Sequence, residues 1–231
     1  MKITTLTSSL YCCKPMFFSQ HGHKLTRICL NKMISISLAS LAAVKRHCCS
    51  LQVLELHVDK VTTAPAQTLQ RALQLAHPGH LPNLKSLKLG GSIYSGITNT
   101  FSVVWWARPI NMNLIPGELL KFFVSGCPRL QIFCFTPFTY QGDVNDEFIV
   151  DLFNEHPCLE LEVFCFEKCI LSEQTFFYLL EKMPKIKYIG NMGEWTMDRR
   201  ARLGIKAYIK GNNVNVDIES LHYNYEFDYY F

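Results

Sequence analysis

Six segments of the chain repeat one spacing of apolar residues, in which the first, fourth and sixth positions are Leu, Ile or Phe. The last segment keeps only its first two apolar positions. The segments are Leu25/Ile28/Leu30, Leu51/Leu54/Leu56, Leu84/Leu87/Leu89, Leu130/Phe133/Phe135, Leu161/Phe164/Phe166 and Ile186/Ile189 followed by Asn191. A unit that recurs at this length indicates a repeat architecture rather than an irregular globule.

The spacing predicts a parallel β-sheet. The fourth and sixth positions share one face of a strand, and the first position enters from the preceding turn to fill the same core. Successive segments begin 26, 33, 46, 31 and 25 residues apart, which leaves room for a helix after every strand. A single unit cannot bury its own apolar face, so we expect the units to stack into a curved α/β solenoid with strands inside and helices outside.

Apolar residues at helical spacing predict a helix after each of the first five strands. These helices cover residues 36–47, 65–77, 116–124, 145–154 and 172–183. Asp143 or Asn145 is the expected N-cap of the fourth helix, and Ser172 is the expected N-cap of the fifth. Residues 214–218 alternate apolar and polar side chains, so they predict a strand that closes the solenoid.

The turns before the strands are also regular, as in LPNLKSLKL at residues 81–89 and CPRLQIF at residues 127–133. With these segments, residues 20–215 resemble the leucine-rich-repeat family, in particular the long, cysteine-containing, ribonuclease-inhibitor-like repeats of F-box proteins. The resemblance implies a noncatalytic scaffold that binds the substrate of an SCF-type ubiquitin ligase. Residues 1–23 do not fit an F-box, so we expect docking to the ligase adaptor only if a longer form supplies one.

Two other classes of function stay open. A stand-alone leucine-rich-repeat regulator or inhibitor would mask a partner protein without any link to ubiquitin. An enzyme is disfavoured, because the sequence contains no Gly-rich phosphate loop, no HExxH motif and no GxSxG elbow. We therefore predict no catalytic residue and no cofactor.

The ten cysteines admit two interpretations. Cys29, Cys134 and Cys165 occupy the same strand position in three repeats, which favours small, semi-buried side chains that fill space. A structural metal site would need closely spaced pairs such as CxxC, which the chain lacks. We therefore predict no metal site.

Composition limits the remaining classes. The 231 residues, of which 48% are hydrophobic and 18% charged, are consistent with one elongated folded domain. The net charge of +4 is mild, and the cluster at residues 198–202 is expected to be the polar face of a final helix, so no nucleic-acid partner is predicted. No apolar run is long enough for a membrane span and no secretory signal is evident. We expect the cytoplasm or the nucleus.

The third, fifth and seventh positions of each segment should face away from the core and line the concave side of the solenoid. Glu55 and Lys88 fall opposite each other on adjacent strands, either as a mutually neutralising ion pair or as contacts for a partner. The predicted partner-binding residues on this side are Arg27, Asn31, Glu55, His57, Lys88, Thr136, Glu167 and Tyr188.

An insertion at residues 90–114 accounts for the longest interval between segments. It contains Trp105, Trp106 and Arg108, which have the composition of a binding hot spot. The alternative is a degenerate extra repeat whose tryptophans lie in the core. The sequence leaves both interpretations open.

We divide the chain into three parts. Residues 1–22 form a degenerate N-terminal repeat or cap, residues 23–218 form the repeat domain, and residues 219–231 form an aromatic C-terminal tail or cap. In the last part Tyr223, Tyr225, Phe227 and Tyr229 alternate with polar residues. This period suits a strand that caps the sheet, while a flexible tail and a partner-binding peptide are the alternatives.

Overall fold

A computed structural model describes residues 5–7, 14–33, 36–58, 60–62, 80–91, 94–95, 116–137 and 141–218. The fold is α/β, with a seven-stranded parallel sheet and helices. In chain order the strands are β1 Thr5–Thr7, β2 Arg27–Met33, β3 Ile36–Ser37, β4 Val53–Val58, β5 Lys60–Thr62, β6 Ser86–Gly91, β7 Tyr94–Ser95, β8 Ile132–Pro137, β9 Gln141–Asn145, β10 Val163–Phe166, β11 Cys169–Ile170 and β12 Tyr188–Gly190. The α-helices are α1 Pro15–His21, α2 Leu38–His47, α3 Pro116–Val124, α4 Asp146–Glu155, α5 Glu173–Lys182 and α6 Arg199–Gly211.

The large sheet has the order β1-β2-β4-β6-β8-β10-β12, so its strands follow one another in space as they do in the chain. Every pairing between neighbours is parallel, and the fourth positions of the six segments lie opposite one another. This ladder runs through Ile28, Leu54, Leu87, Phe133, Phe164 and Ile189. The prediction that the six segments are parallel strands in register is therefore confirmed, and Leu6 of β1 extends the ladder beside Ile28.

Five short strands form two further small sheets. In one, which we call the second strip, β5 pairs with both β3 and β7, and in the other β9 pairs with β11. Each follows a main strand by a few residues, and its pairing satisfies backbone hydrogen-bonding groups beyond the end of that strand. This strip shortens the first predicted helix: Ile36 pairs with Val61 in the strip, and the Ser37 side chain accepts a 3.1 Å hydrogen bond from the Ser40 N–H. The helix consequently begins at Leu38.

The core lies between the sheet and the helices. The apolar side chains at the first, fourth and sixth positions of the segments are buried, together with the inner faces of α2 to α5 and Ile205 of α6. Phenylalanines fill the core under β8 and β10, where the Phe164 and Phe166 rings stack with centroids 4.2 Å apart. Burying side chains of this size removes a large apolar area from water and supplies most of the favourable free energy of folding.

The helix boundaries agree closely with the sequence for three helices. α3 spans the predicted residues, α4 begins after Asn145, and α5 begins after Ser172. Asn145 accepts a 2.8 Å hydrogen bond from the Phe148 N–H, so it is the N-cap of α4 and the alternative Asp143 is not. Ser172 accepts a 3.1 Å bond from the Gln174 N–H, so this predicted N-cap is confirmed. The predicted helix at 65–77 lies outside the described residues.

Asp143 and Asp146 join successive helices to one another. The carboxylate of Asp143 accepts a 2.9 Å hydrogen bond from the Gly117 N–H at the start of α3. Asp146 accepts bonds from the Ser172 N–H at 2.9 Å, from its hydroxyl at 2.7 Å and from the Thr175 hydroxyl at 2.5 Å. Each carboxylate therefore lies where a helix leaves N–H donors without helical partners, and it ties neighbouring units together.

The described chain ends beside the last strand. The Asp217 N–H donates to the Lys187 carbonyl at 2.8 Å, and the Asp217 carbonyl accepts from the Ile189 N–H at 3.0 Å. Residues 214–218 therefore add a short parallel bridge to β12, at the edge where the sequence predicts a closing strand. Within the described residues, no helix combines the length and the apolar character that a membrane crossing requires.

Candidate functional site

The sheet has one face against the helices and an opposite face formed by the third, fifth and seventh positions of the segments. We call this opposite face the strand face. Its third-position row is Arg27, Val53, Ser86, Ile132, Val163 and Tyr188, and its fifth-position row is Cys29, Glu55, Lys88, Cys134, Cys165 and Gly190. Parallel pairing in register places each row across the strands, so side chains far apart in sequence become neighbours.

Charged side chains occupy the strand face on β2, β4 and β6. Glu55 Oε1 lies 3.4 Å from Lys88 Nζ and 3.5 Å from Arg27 Nη2. The predicted Glu55–Lys88 contact is therefore present, and Arg27 adds a second cation that sequence spacing alone did not pair. The side chain of Glu55 is 20% exposed, that of Lys88 is 30% exposed and that of Arg27 is 51% exposed. Two cations around one carboxylate leave this end of the face positively charged and accessible.

Arg27 also affects the thiol beside it. Its Nε donates a hydrogen bond to Cys29 Sγ at 3.1 Å. Burial raises the pKa of Cys29, and the Arg27 hydrogen bond opposes that rise. The thiol is 7% exposed, which agrees with the predicted space-filling role.

Apolar side chains occupy the strand face on β8, β10 and β12. Cys134, Cys165 and Tyr188 form a buried cluster, each 4% exposed, with Ile132 and Val163 packed against it. The hydrogen bond with Cys134, followed by burial, raises the pKa of the Cys165 thiol. Both thiols are free. The predicted filler role of these two cysteines agrees with their burial.

Tyr188 is the predicted contact residue whose placement differs most from expectation. Its ring lies over Gly190, where a Cβ atom would come within 2.0 Å of the Tyr188 ring. Because Gly190 has no side chain, the ring lies along β12 and is almost entirely buried. Little of Tyr188 is therefore accessible to a partner.

His57, Thr136 and Glu167 lie at the seventh positions. A Cβ on Gly90 would meet Thr136 Oγ1 at 2.8 Å and His57 Nδ1 at 2.9 Å, so this glycine permits close packing between the two. Glu167 accepts a hydrogen bond from the Asn191 amide, while burial raises the pKa of its carboxyl group. Asn191 has φ of 61°, a left-handed conformation that Asn adopts more readily than most residues.

Two parts of the predicted site cannot be placed on this face. Asn31 belongs to β2, but its side chain is outside what the structure describes. Trp105, Trp106 and Arg108 lie outside the described residues altogether, so the choice between hot spot and core stays a prediction.

A cavity of about 440 Å³ opens between the turns that precede β6, β8 and β10. Its lining residues are His80, Pro82, Val124, Gly126, Cys127, Pro128, Glu155, His156, Pro157 and Cys158. Burial raises the pKa of Cys127 and of Cys158 to about 12, and burial lowers the pKa of His156. These thiols are therefore protonated at neutral pH, the opposite of the thiolate that nucleophilic catalysis requires. In the described parts of the chain, no three His, Cys, Asp or Glu side chains are grouped to hold a metal ion.

Lys45 is a buried amine that was not predicted from the sequence. Its Nζ donates to the Phe122 carbonyl and, at 2.6 Å, to the Ser125 hydroxyl. The same atom lies 4.6 Å from the centre of the Phe122 ring. Burial lowers the pKa of Lys45 to about 8. With 1% of the residue exposed, the amine links α2 to the end of α3 rather than facing a substrate.

The chain was compared with known protein families, curated proteins and solved structures. No known protein family matches the chain, and no curated protein matches it in sequence. A protein from Bacteroides fragilis of known crystal structure is similar over 93% of this chain, with 13% sequence identity and a TM-score of 0.40. The chain spans 64% of that protein's length.

Proposed function

We propose that the chain is a leucine-rich-repeat solenoid that acts as a noncatalytic scaffold for binding another protein. The proposal rests on one observation, the accessible cluster of Arg27, Glu55 and Lys88 on the sheet face opposite the helices. A face of this kind offers a partner charged hydrogen-bonding groups on a rigid support. Rigid support reduces the entropy that binding costs.

The order of the strands supports the finer assignment of the fold. Each of the first five segments begins a unit of turn and strand, and the described units under β8 and β10 continue through a short second strand into α4 and α5. Units of one kind stacked in chain order are the arrangement of a solenoid. In solenoids, the surface formed by successive strands is commonly used for recognition.

The resemblance to F-box repeat proteins makes ubiquitination the favoured context. In this proposal the strand face binds a ligase substrate, and an F-box supplied by a longer form would dock on the cullin adaptor. The protein would then work in the cytoplasm or the nucleus. A free-standing regulator or inhibitor that masks its partner is the alternative, and the same experiment separates the two.

Affinity purification from cells followed by mass spectrometry tests the proposal. We expect Arg27→Glu combined with Lys88→Glu to lose a partner that the unmodified chain retains. The matched control is Lys24→Glu with Arg129→Glu, which changes the net charge equally at two exposed residues away from the strand face. Circular dichroism should remain unchanged for both double variants.

The set of recovered proteins decides between the contexts. Cullin and its adaptor, together with a partner lost in the strand-face variant, support the ligase function. Recovery of that partner without cullin supports the free-standing regulator. Equal recovery from the strand-face and control variants rejects the strand face as the binding surface.

A further inference from the structure

The positive charge of the chain is concentrated in α6. This helix of 13 residues carries Arg199, Arg200, Arg202, Lys206 and Lys210 and contains no Asp or Glu. The chain as a whole has 23 basic and 19 acidic residues and a net charge of +4, so the residues outside α6 carry a net charge of −1. One helix therefore accounts for the basic character of the whole protein.

Apart from Lys210 in the last turn, the charges of α6 are arranged against the stability of the helix. Arg199 and Arg200 lie in the first turn, where the helix dipole favours negative side chains. Arg202, Lys206 and Lys210 follow one another at intervals of four residues, so like charges lie side by side along the helix. In the described part of the chain, no carboxylate lies within salt-bridge distance of Arg199, Arg200, Arg202 or Lys210. Local conflicts of this kind are expected at functional sites.

Exposed apolar side chains lie beside these charges. Leu203 is 56% exposed and lies between the arginines of the first turn and Lys206. On the flank, Tyr208 of α6 and Phe177 of α5 meet edge to face with ring centroids 5.1 Å apart, and each is about 40% exposed. Aromatic side chains and arginine are the residue types enriched at the centre of protein interfaces.

We propose that the outer surface of α6 binds an acidic segment of a partner protein that also carries apolar side chains. The charges are complementary, because carboxylates of the partner would relieve the repulsion among Arg199, Arg200 and Arg202. Leu203 and the Phe177–Tyr208 pair would accept the apolar side chains of the same segment. This surface belongs to the helix layer, so it is separate from the strand face.

Other anionic ligands, namely a membrane surface and a nucleic acid, fit the outer surface of α6 less well. A membrane-surface helix presents its apolar face to the lipid, but α6 uses that face, with Ile205 1% exposed, to pack on the protein core. A nucleic-acid surface would extend its basic residues beyond one helix, and the rest of this chain is slightly acidic. An acidic protein segment is the occupant that uses both the charge and the exposed apolar area.

Fluorescence anisotropy with a labelled synthetic peptide that alternates Glu and Leu tests this surface in the full chain. The decisive variant is Arg199→Glu with Arg200→Glu, because acidic residues in the first turn suit the helix dipole and the fold should be at least as stable. We expect this variant to weaken peptide binding by about tenfold or more. Leu203→Ala should weaken binding by about threefold.

The controls keep the result specific. Lys24→Glu with Arg129→Glu carries the same change of charge and should leave peptide affinity within about twofold. If the Lys24/Arg129 control weakened peptide binding equally, the effect would come from net charge rather than from α6, and the proposal would be overturned. Absence of peptide binding, or tighter binding to single-stranded DNA or to vesicles containing phosphatidylserine, would also overturn it.

Discussion

The two ends of the strand face share one backbone arrangement and differ in their side chains. On β2 to β6 the face holds Arg27, Glu55 and Lys88, which remain accessible to solvent. On β8 to β12 it holds Cys134, Cys165 and Tyr188, each 4% exposed. The third- and fifth-position rows keep one register from one end to the other, so the contrast between the ends comes from the identity of the side chains.

The cysteines at the fifth strand position show this contrast between the two ends most clearly. Cys29 and Cys165 both occupy the fifth position, but Cys29 accepts a hydrogen bond from Arg27 whereas Cys165 lies against another thiol, Cys134. At one end of the face the polar groups therefore pair with one another, and at the other end two thiols and Tyr188 pack together away from water. We therefore expect the charged end, which we propose as the recognition surface, to tolerate substitution, and the buried end to contribute stability.

The largest expected effect is a loss of stability at alkaline pH. Burial raises the pKa values of Cys48, Cys127 and Cys158 to about 12, and the pKa values of Cys165 and Cys169 are also raised. Above pH 9.0, the ordinary thiol value, the unfolded chain loses protons that the folded chain keeps, so stability falls as pH rises. Each thiol costs roughly 1.4 kcal/mol per pH unit in that range.

Lys45 acts in the opposite direction and offsets part of this loss. Its folded-state pKa of about 8 lies below the ordinary 10.5, so between these values the unfolded chain holds the extra proton and stability rises with pH. The net loss between pH 8 and pH 10 should be on the order of 5 kcal/mol. Urea unfolding monitored at several pH values measures it.

The contribution of one thiol at the buried end to this alkaline loss of stability can be measured separately. Cys165→Ala should reduce the alkaline loss at pH 10 by about 1 kcal/mol. Cys49→Ala is the control, because Cys49 is exposed in the folded protein. An alkaline profile that Cys165→Ala leaves unchanged would contradict the burial of this end.

The next effect concerns the packing of Tyr188 over Gly190. In Gly190→Ala the new Cβ would lie 2.0 Å from the Tyr188 ring, so the ring must move into solvent. We expect a loss of about 1–3 kcal/mol in the free energy of unfolding, measured by urea denaturation. In the Tyr188→Ala background the same change should cost much less, because the ring is gone.

Gly204→Ala is the matched control for this glycine. Gly204 lies inside α6, and a Cβ there would meet no atom within 4 Å. Alanine in the interior of a helix should therefore raise stability by about 0.5–1 kcal/mol. If both glycine variants changed the free energy of unfolding equally, the packing of the Tyr188 ring would not depend on the missing side chain at Gly190.

The core side of the fold was predictable from the sequence, because one spacing determines both the strands and their register. Leu54, Phe133 and Phe164 follow that spacing, and all three are fully buried. The N-caps Asn145 and Ser172 were predictable for a similar reason, since a cap depends on residues only a few positions away. Short-range patterns are sufficient for features of this kind.

Features that depend on distant residues were not predictable. Lys45 can be buried because its amine donates hydrogen bonds to the Phe122 carbonyl and the Ser125 hydroxyl. These acceptors lie at the end of α3, 77 and 80 residues further along the chain. Alternation places Tyr188 on the strand face but does not say that its ring lies flat over Gly190. The pairing of Arg27 with Glu55 depends on a side-chain conformation that spacing does not specify.

The smallest effect on stability should come from the charged end. Glu55→Gln removes the carboxylate that both Arg27 and Lys88 approach, but these side chains are solvated and screened, so we expect a cost of about 0.5 kcal/mol or less. Glu162→Gln is a matched control, because it breaks the 2.6 Å contact with Lys187 away from the strand face. Both variants should unfold alike in urea, but only Glu55→Gln should change partner capture. A loss above about 2 kcal/mol for Glu55→Gln would mean that the charged end is desolvated like the apolar end, and the contrast between the two ends would fail.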